Sequence, residues 1–378
     1  MDYKVMENIG IKTSLLGFGC MRFPLLDDGK INEPEAQRLL DTAIEAGVNY
    51  IDTAYFYLNG QSEPFVGKAL KKHDRSKLNI ATKLPVWNVN SVDDAKRIFQ
   101  EQCDKLQTDY IDFYLIHALN KHYWDKMKEC GAVDYCVELK KQGKIKNLGF
   151  SFHDEYPIFE EILTYRKWDF CQIQFNYMDT DYQAGEKGYK LAESLGIPLV
   201  IMEPVKGGAL ANLPDDITKI FKAINPLVST ASWSFRWLAS HPNVKVILSG
   251  MTAIDQVEDN IKTFSPFVPL SRKECTAVDA VANALRSRVR NDCTGCEYCM
   301  PCPSGVNIPH NFSIWNQHSI YGNDADAKWA YFNDLNESAR ADKCVECSQC
   351  EAVCPQKLHI IENLKSVVKD MESLNKKS

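Results

Sequence analysis

Eight of the 14 cysteines lie in the last quarter of the chain, in two runs with nearly regular spacing. The first run reads CTGCEYCMPCP and the second reads CVECSQCEAVCP. Their cysteines are Cys293, Cys296, Cys299 and Cys302, followed by Cys344, Cys347, Cys350 and Cys354. The second run has the C-x2-C-x2-C-x3-C-P spacing of bacterial iron–sulfur sites. We therefore predict that these residues hold two [4Fe–4S] clusters.

Each cluster is expected to take three cysteines from one run and one from the other, because the cysteine before the proline points to the other cluster. The spacing assigns one cluster to Cys293, Cys296, Cys299 and Cys354, and the other to Cys344, Cys347, Cys350 and Cys302. The first run has two residues before its fourth cysteine instead of three, which leaves the exchange of Cys302 open. A four-cysteine zinc site is the alternative, but three cysteines at successive two-residue spacing followed by Cys-Pro favour iron–sulfur.

The composition and the N-terminal residues indicate the cellular compartment. The N-terminal residues MDYKVMENIG contain no apolar signal segment, and no run reaches the roughly 18 apolar residues that a membrane span needs. The net charge of -6 disfavours a nucleic-acid-binding protein. We expect a cytoplasmic protein that binds neither nucleic acid nor membrane, in which the six scattered cysteines are reduced thiols packed in the fold.

Before residue 265, eight strand-like runs alternate strictly with eight segments of helical spacing, from LLGFGC (15–20) to the last helix AIDQVEDNIKTF. Consecutive parallel strands need crossover helices, so this pattern predicts a (β/α)8 barrel. A doubly wound open sheet is the alternative, but GFGCMRF lacks the third glycine of the dinucleotide fingerprint. The predicted fold class is α/β, a TIM barrel with a C-terminal, mostly α-helical, ferredoxin-like iron–sulfur domain.

We predict three parts along the chain. Residues 1–265 form the barrel, 266–290 a linker helix, and 291–378 the dicluster domain. Between the two cysteine runs, the segment FSIWNQHSIY and the recurrence of Trp329, Phe332 and Leu335 at intervals of three indicate helices, which resembles an α-helical ferredoxin.

Four polar residues are expected at the carboxyl ends of barrel strands, where the chemistry of this fold takes place. Asp52 ends the second strand, Tyr57 follows it, Lys83 ends the third strand and His117 the fourth. A carbonyl that accepts hydride needs a proton, which a tyrosine can donate if a nearby lysine lowers its pKa. An aspartate would hold the lysine, and a histidine would donate a second hydrogen bond to the developing oxyanion.

Five segments resemble, in order, the signatures of the aldo-keto reductases: GVNYIDTAYFYLNGQSEPFVG, IATKLP, YIDFYLIH, GKIKNLGFS and HPNVKVILSGMTAIDQVEDN. The resemblance covers residues 1–265 and implies a catalytic tetrad of Asp52, Tyr57, Lys83 and His117, with Tyr57 as general acid. It also implies a nicotinamide cofactor whose amide contacts Ser151 and Gln172. The remainder of the cofactor is expected at Lys206, Gly207, Gly208, Ser249, Gly250, Gln256 and Asn260.

Three positions depart from the family pattern. Phe152 replaces an asparagine that contacts the amide, Met202 replaces an aromatic that stacks on the nicotinamide, and Gln256 replaces a basic residue that holds the 2′-phosphate of NADP. The cofactor of the barrel mouth is therefore left open as NAD(P)H or a flavin. Trp87 and Trp124 are expected either to line the substrate pocket or to pack in the core.

Three functions follow from these residues. The first is an iron–sulfur oxidoreductase of aldo-keto reductase type, which reduces or oxidises a carbonyl, an alcohol or a related small molecule. In it, electrons pass through two [4Fe–4S] clusters, and a soluble ferredoxin or another electron carrier is the partner. The second is a conventional NAD(P)H-dependent carbonyl reductase with structural or redox-sensing clusters. The third, a non-catalytic electron-transfer subunit, is disfavoured by the complete tetrad.

Overall fold

The structure is a computed structural model that describes residues 1–376. The chain divides into two compact units. The first contains residues 1–211 and 228–275, and the second contains residues 212–227 and those from Thr276 onward. Within the described part of the chain, no helix is long and apolar enough to cross a membrane.

The first unit begins with a two-stranded antiparallel hairpin that the sequence analysis did not predict, formed by β1 (Tyr3–Met6) and β2 (Ile11–Ser14). The hairpin binds the segments that lead into barrel strands, since the Asn8 side chain donates to the Asp169 carbonyl oxygen at 2.8 Å. Met6 is completely buried with side chains of the barrel interior such as Phe113. The hairpin therefore lies at the amino ends of the strands, away from their carboxyl ends.

Eight parallel strands then close a barrel in chain order, with the last strand paired to the first. They are β3 (Leu16–Gly19), β4 (Tyr50–Asp52), β5 (Asn79–Leu84), β6 (Ile111–Leu119), β7 (Ile145–Phe152), β8 (Phe170–Gln174), β9 (Leu199–Met202) and β10 (Val244–Ser249). Each overlaps one of the eight predicted strands, so the predicted barrel is confirmed. The regular alternation of strands and helices was sufficient to predict the barrel, because the chain can reach a parallel neighbouring strand only through a crossover segment.

The helices of the first unit surround the barrel. They are α1 (Glu33–Glu45), α2 (Ser62–Ala69), α3 (Val92–Leu106), α4 (Lys121–Glu129), α5 (Ala132–Lys141), α6 (Tyr156–Tyr165), α7 (Gly185–Ser194), α9 (Thr230–Ala239) and α10 (Ile254–Thr263). Helix α3 shows how local sequence signals define the limits of a helix. Ser91 caps its first turn, acidic residues follow, and Gln107 ends it in a left-handed conformation. Helix α4 was not predicted, because charged residues dominate it and it buries only Trp124 and Met127.

The second unit is helical. Its elements are α8 (Asp215–Lys222), most of α11 (Arg272–Arg286), α12 (Ile308–Tyr321), α13 (Asp324–Trp329), α14 (Gln349–Val353) and α15 (Ile360–Lys376). A small apolar core includes Phe312, Trp315 and Leu364, and six of the eight clustered cysteines pack against it. Trp329 is exposed whereas Leu335 is buried, so the predicted recurrence at intervals of three does not form one apolar face.

Residues 212–227 group with the second unit, although the sequence analysis placed them in the barrel domain. Helix α8 buries Ile217 and Phe221, and Asp216 forms an ion pair with Arg288 of the same unit. An insertion between β9 and α9 is thus part of the helical unit.

Candidate active site and cluster cavities

The structure places a fully buried ion pair at the carboxyl ends of β4 and β5. Lys83 Nζ donates to Asp52 Oδ1 at 2.7 Å and to the backbone carbonyl of Thr53 at 2.7 Å. The side chains of Lys83 and Asp52 are 0% and 2% exposed. Lys83 thus has two partners, whereas the second carboxylate oxygen, Asp52 Oδ2, is buried and has no hydrogen-bond partner among the described residues. The pair fixes the position of the ammonium group at the barrel mouth.

Tyr57 and His117 complete the group of four predicted residues. Lys83 Nζ lies 4.8 Å from the ring centroid of Tyr57. The rings of Tyr57 and His117 meet edge to face with their centroids 6.2 Å apart. The structure therefore brings Asp52, Tyr57, Lys83 and His117 together at one end of the barrel.

Burial and mutual attraction decide the protonation of these groups. Burial opposes the charged form of Lys83, but neighbouring Asp52 and Tyr57 outweigh it and raise the Lys83 pKa. Burial also raises the pKa of Tyr57, whereas Lys83 acts to lower it. From the sequence, a net lowering of the Tyr57 pKa was expected. Lys83 has the expected effect, but the effect of burial is larger. Tyr57 is therefore protonated at neutral pH and can serve as a proton donor.

His117 is held neutral. Burial, the charge of Lys83 and then His153 lower the His117 pKa well below its usual value. A neutral imidazole donates from only one ring nitrogen. Its Nδ1 is buried and has no hydrogen-bond partner among residues 1–376. The ring can therefore offer one hydrogen bond to an oxygen at the barrel mouth without carrying a charge.

This neutrality predicts a pH-dependent stability. Relative to a His117→Asn variant, the protein is expected to lose free energy of unfolding as the pH falls below about 6.5. The unfolded chain protonates this histidine near that pH while the folded chain does not, so the unfolded state binds more protons and gains stability. Urea unfolding of both proteins between about pH 8 and pH 5.5 measures the difference. Parallel curves over this range would contradict a neutral His117.

The two residues predicted to contact the nicotinamide amide are direct neighbours in the barrel. Ser151 of β7 pairs with Gln172 of β8 in register, and both are buried. The Ser151 hydroxyl oxygen accepts from the backbone N–H of Ala118 at 2.7 Å. Gln172 Nε2 donates to Met202 Sδ at 3.6 Å, but Gln172 Oε1 is buried and has no partner in the described chain. An unsatisfied buried oxygen is costly, so a carboxamide N–H from a ligand fits this position.

Phe152 does not belong to this group. Strand alternation turns it away from Ser151, and its fully buried ring packs against Phe159 of α6 with centroids 5.2 Å apart. The expectation that Phe152 costs the cofactor a contact assumed that this side chain points into the mouth. The structure instead assigns it to the core outside the barrel.

The predicted pyrophosphate loop is well defined. Gly207 and Gly208 have positive φ angles, a conformation that glycine adopts without strain. Lys206 beside them is already paired with Asp179, whose two carboxylate oxygens lie 2.7 and 2.8 Å from its Nζ. A phosphate at this loop would have to share Lys206 with that carboxylate.

The predicted adenine segment is also internally bonded. Asn260 Nδ2 donates to the Ser249 hydroxyl oxygen at 3.0 Å. Gln256 Oε1 accepts from the Thr252 backbone N–H at 2.8 Å and so closes the first turn of α10. In this position Gln256 stabilises a turn, and it supplies no positive charge for a 2′-phosphate.

In the second unit, the eight cysteines line two cavities. One, of about 190 Å³, is lined by Cys299, Cys302, Cys344, Cys347 and Cys350. A smaller one is lined by Cys293, Cys296, Cys299 and Cys354. Cys302 thus lines the cavity of the second run, and Cys354 lines that of the first. No three Cys, His, Asp or Glu side chains of the described chain converge as ligands of a single metal ion would.

The two runs share a backbone conformation that suits an anionic group. Gly295 and Glu346, which precede the second cysteine of each run, have positive φ angles of 70° and 57°. Glu297 and Ser348, which follow that cysteine, have positive φ angles of 60° and 62°. Backbones of this kind turn successive N–H groups towards one side, where they bind anions. A cubane with four thiolates is anionic, so these residues fit the cluster that each run is expected to hold.

Comparison with known proteins decides the family. Residues 15–283 match the aldo/keto reductase family. The chain belongs to the aldo/keto reductase family. Residues 292–359 match a 4Fe-4S dicluster domain. The protein is therefore an aldo/keto reductase-type oxidoreductase with a C-terminal domain for two iron–sulfur clusters, and zinc is disfavoured.

Individual relatives match the barrel part of this aldo/keto reductase. The uncharacterized oxidoreductase YqkF of Bacillus subtilis is 28% identical over an alignment of 281 residues, which covers 66% of this chain and 86% of YqkF. The NADH-specific methylglyoxal reductase of Escherichia coli is 29% identical over an alignment of 298 residues, which covers 66% of this chain and 89% of that enzyme. A solved aldo-keto reductase from Bacillus halodurans, AKR11C1 in holo form, superposes with a TM-score of 0.64 at 26% identity and covers 74% of this chain and 96% of its own.

One side chain at the mouth of the aldo/keto reductase barrel, Arg22, requires the tertiary structure to be recognised. Arg22, after β3, packs so closely on Gly250 that a β-carbon there would lie 3.1 Å from Arg22 Cδ. Its guanidinium also lies beside Gly207, so a cation stands between the two predicted cofactor segments. Sequence reasoning missed Arg22, although a lone basic residue directly after a barrel strand was a usable signal.

The aromatic wall of the site comes from Trp87. Its ring lies 5.0 Å from that of His117 and 5.7 Å from that of Phe56, measured between centroids. Trp124 is completely buried and packs near Trp168, so it belongs to the core. Of the two tryptophans considered from the sequence, only Trp87 adjoins the tetrad.

Proposed function

We propose that the barrel of this aldo/keto reductase reduces a small carbonyl compound with hydride from a nicotinamide cofactor. A bound nicotinamide supplies the hydride, and one carbonyl, one hydride and one proton give one alcohol. Tyr57 donates the proton to the carbonyl oxygen, and neutral His117 donates a hydrogen bond to that oxygen while charge develops on it. Lys83, held by Asp52, stabilises the phenolate that remains. The buried Lys83–Asp52 pair beside Tyr57 is the observation that carries this proposal.

Ser151 and Gln172 would hold the nicotinamide amide, with the unpartnered Gln172 Oε1 as the acceptor of its N–H. The E. coli relative named as NADH-specific supports a nicotinamide cofactor. Gln256 adds no charge for a 2′-phosphate, which favours NADH over NADPH. The flavin alternative gains no support from these relatives, and we do not propose it.

Replacing Gln172 by leucine is expected to raise the KM for NADH about tenfold, which corresponds to the loss of one buried hydrogen bond. The matched control is Gln142→Leu, since Gln142 is exposed at the end of α5. NADH oxidation with methylglyoxal as the probe substrate measures both variants. Equal KM values for NADH in the two variants would contradict a role of Gln172 in cofactor binding.

We further propose that the cysteine cavities serve electron transfer and are more than a structural feature. Clusters held there would supply one electron each, so two clusters would supply the two electrons of one carbonyl reduction in place of the hydride, with one proton from Tyr57 and the second from solvent. The two cavities share Cys299 as a common wall, and Cys296 and Cys347 are exposed. Adjoining cavities with exposed edges favour passage of electrons over a purely structural role.

A Cys347→Ser variant tests the electron route against the alternative of structural or sensing clusters. Cys275→Ser is the matched control, because Cys275 is exposed and lines neither cavity. The assay is carbonyl reduction by the dithionite-reduced protein without added nucleotide. If the route exists, Cys347→Ser loses this activity and Cys275→Ser keeps it. If the wild-type protein shows no such activity while NADH-dependent turnover is normal, the clusters are structural or sensing.

A further inference from the structure

Strand β6 contains one extra residue at the point where it presents His117. Ile116 pairs with Phe150 of the parallel strand β7, and the next pair joins Leu119 to Phe152. Three steps along β6 thus match two steps along β7, which makes a β-bulge. Bulges of this kind are common next to active sites, where they redirect a side chain. The direction of the His117 side chain therefore depends on how this bulge is held.

The bulge needs a local restraint, because Ala118 has a left-handed φ angle of 49°. A residue with a β-carbon adopts this conformation at a cost in free energy, and it persists only where the surrounding structure imposes it. The Ser151 hydroxyl oxygen of β7 accepts from the Ala118 N–H at 2.7 Å. The His153 N–H then donates to the Leu119 carbonyl oxygen at 2.9 Å, which resumes the pairing of the two strands. Ser151 thus holds the strained residue of the bulge.

We propose that Ser151 is a positioning residue for His117, which acts through the Ala118 N–H, in addition to contacting the cofactor amide. Ser151 is 1% exposed, so its oxygen is shielded from bulk water. Without this hydrogen bond, the strain at Ala118 is no longer compensated, and the bulge is expected to relax and turn His117 away from the carbonyl oxygen of the substrate. The inference rests on the proposed carbonyl reduction, in which His117 donates to that oxygen.

The same hydroxyl group connects His117 to cofactor binding. A hydroxyl has one hydrogen to donate and two lone pairs with which to accept. Ala118 uses one lone pair of Ser151, which leaves the hydrogen for the carbonyl oxygen of a nicotinamide amide. Gln172, the neighbour of Ser151 on β8, has the buried Oε1 that fits the N–H of that amide. Because a hydroxyl that donates becomes a stronger acceptor, the hold of Ser151 on the bulge is expected to tighten when the amide is bound.

The kinetic test compares Ser151→Ala with Gln172→Leu, because both variants lose a predicted contact with the amide. A contact that serves binding alone raises the KM for NADH and leaves kcat unchanged. Ser151→Ala is expected, in addition, to lower kcat about tenfold, since the donor to the developing oxyanion is displaced. NADH oxidation with methylglyoxal as the probe substrate gives both parameters. A Ser151→Ala variant with the kcat of Gln172→Leu would overturn the proposal.

Ser14→Ala is the matched control for the loss of a buried serine. The Ser14 hydroxyl oxygen also accepts a backbone N–H, that of Asn49, at 2.9 Å, and Ser14 is completely buried. It ends the hairpin at the amino ends of the strands, so its loss is expected to lower stability while kcat stays at the wild-type value. If Ser151→Ala does not fold, Ser151→Cys takes its place, because a thiol of similar shape is only a weak acceptor.

A double-mutant cycle shows whether Ser151 acts through His117. In the His117→Asn background, Ser151→Ala is expected to lower kcat by less than about twofold, since no imidazole is left to position. A full tenfold loss in that background would mean that Ser151 acts on the cofactor alone, and the proposal would be wrong.

A measurement without substrate or nucleotide separates this inference from the proposed function. Isotope labelling of the eight histidines lets NMR follow their ring nitrogens, and the signals missing in His117→Asn are those of His117. Ser151→Ala is expected to shift these signals, whereas Ser14→Ala leaves them in place. Unshifted His117 signals in Ser151→Ala would overturn the positioning role even in a protein that reduces carbonyls. Shifted signals in a protein without turnover would support the positioning role and reject only the carbonyl reduction.

Discussion

Replacing Tyr57 by phenylalanine is expected to lower kcat for carbonyl reduction by about a thousandfold, within the range that general acid catalysis contributes. The phenyl ring keeps the packing beside Lys83 and His117 but has no proton to donate. Because the Lys83–Asp52 pair does not depend on the hydroxyl, the variant is expected to fold, and its KM for NADH to change little. NADH oxidation with methylglyoxal as the probe substrate gives both parameters.

Tyr55→Phe is the control for this experiment. Tyr55 also lies in the loop after β4, but its hydroxyl donates to Glu101 on α3, away from the tetrad. This variant is expected to turn over at close to the wild-type rate. Retention of more than about a tenth of wild-type kcat by Tyr57→Phe would assign the proton donor elsewhere. A wild-type protein without measurable turnover would instead favour the non-catalytic electron-transfer subunit.

Replacing Cys302 by alanine is expected to remove one of the two clusters and lower the iron content from about eight to about four atoms per chain. Each thiolate of a cubane binds a different iron, so loss of one ligand exposes one iron to solvent, and the cluster that loses this iron then disassembles. Cys354→Ala is expected to have the same effect on the other cluster. Iron and sulfide analysis of protein purified without oxygen measures the content. Electron paramagnetic resonance of the reduced protein shows whether one isolated cluster remains.

Double variants reveal which cysteines share a cluster. If Cys302 serves the second run, Cys302→Ala combined with Cys347→Ser still leaves about four irons, because both changes affect the same cluster. Cys302→Ala combined with Cys296→Ser then leaves almost none. If each run binds its own cluster, the two outcomes are reversed. The cavity linings favour the first result, since Cys302 lines the same cavity as Cys347.

The strands of the barrel and the grouping of the four polar residues could be predicted from the spacing of residues along the chain. The eight strands were predictable because a parallel barrel needs a regular alternation of strand and crossover helix. The tetrad was predictable because each member ends or follows a strand, and the carboxyl ends of parallel strands share one face. The hairpin at residues 3–14 and helix α4 were not predicted, because short or highly charged elements carry little periodic signal.

The sequence by itself determined the cysteine spacing and the set of four residues at the barrel mouth. Only the tertiary structure decided that helix α8 belongs to the helical unit, that Phe152 packs outside the barrel and that Arg22 stands between the two predicted cofactor segments. It also decided that Tyr57 is protonated and His117 neutral, because a pKa depends on burial and on charges from distant parts of the chain. The spacing of residues along the chain indicates which of them share a strand or a helix. Contacts between strands and helices determine how deeply each side chain is buried and which charges surround it, and these set its protonation state.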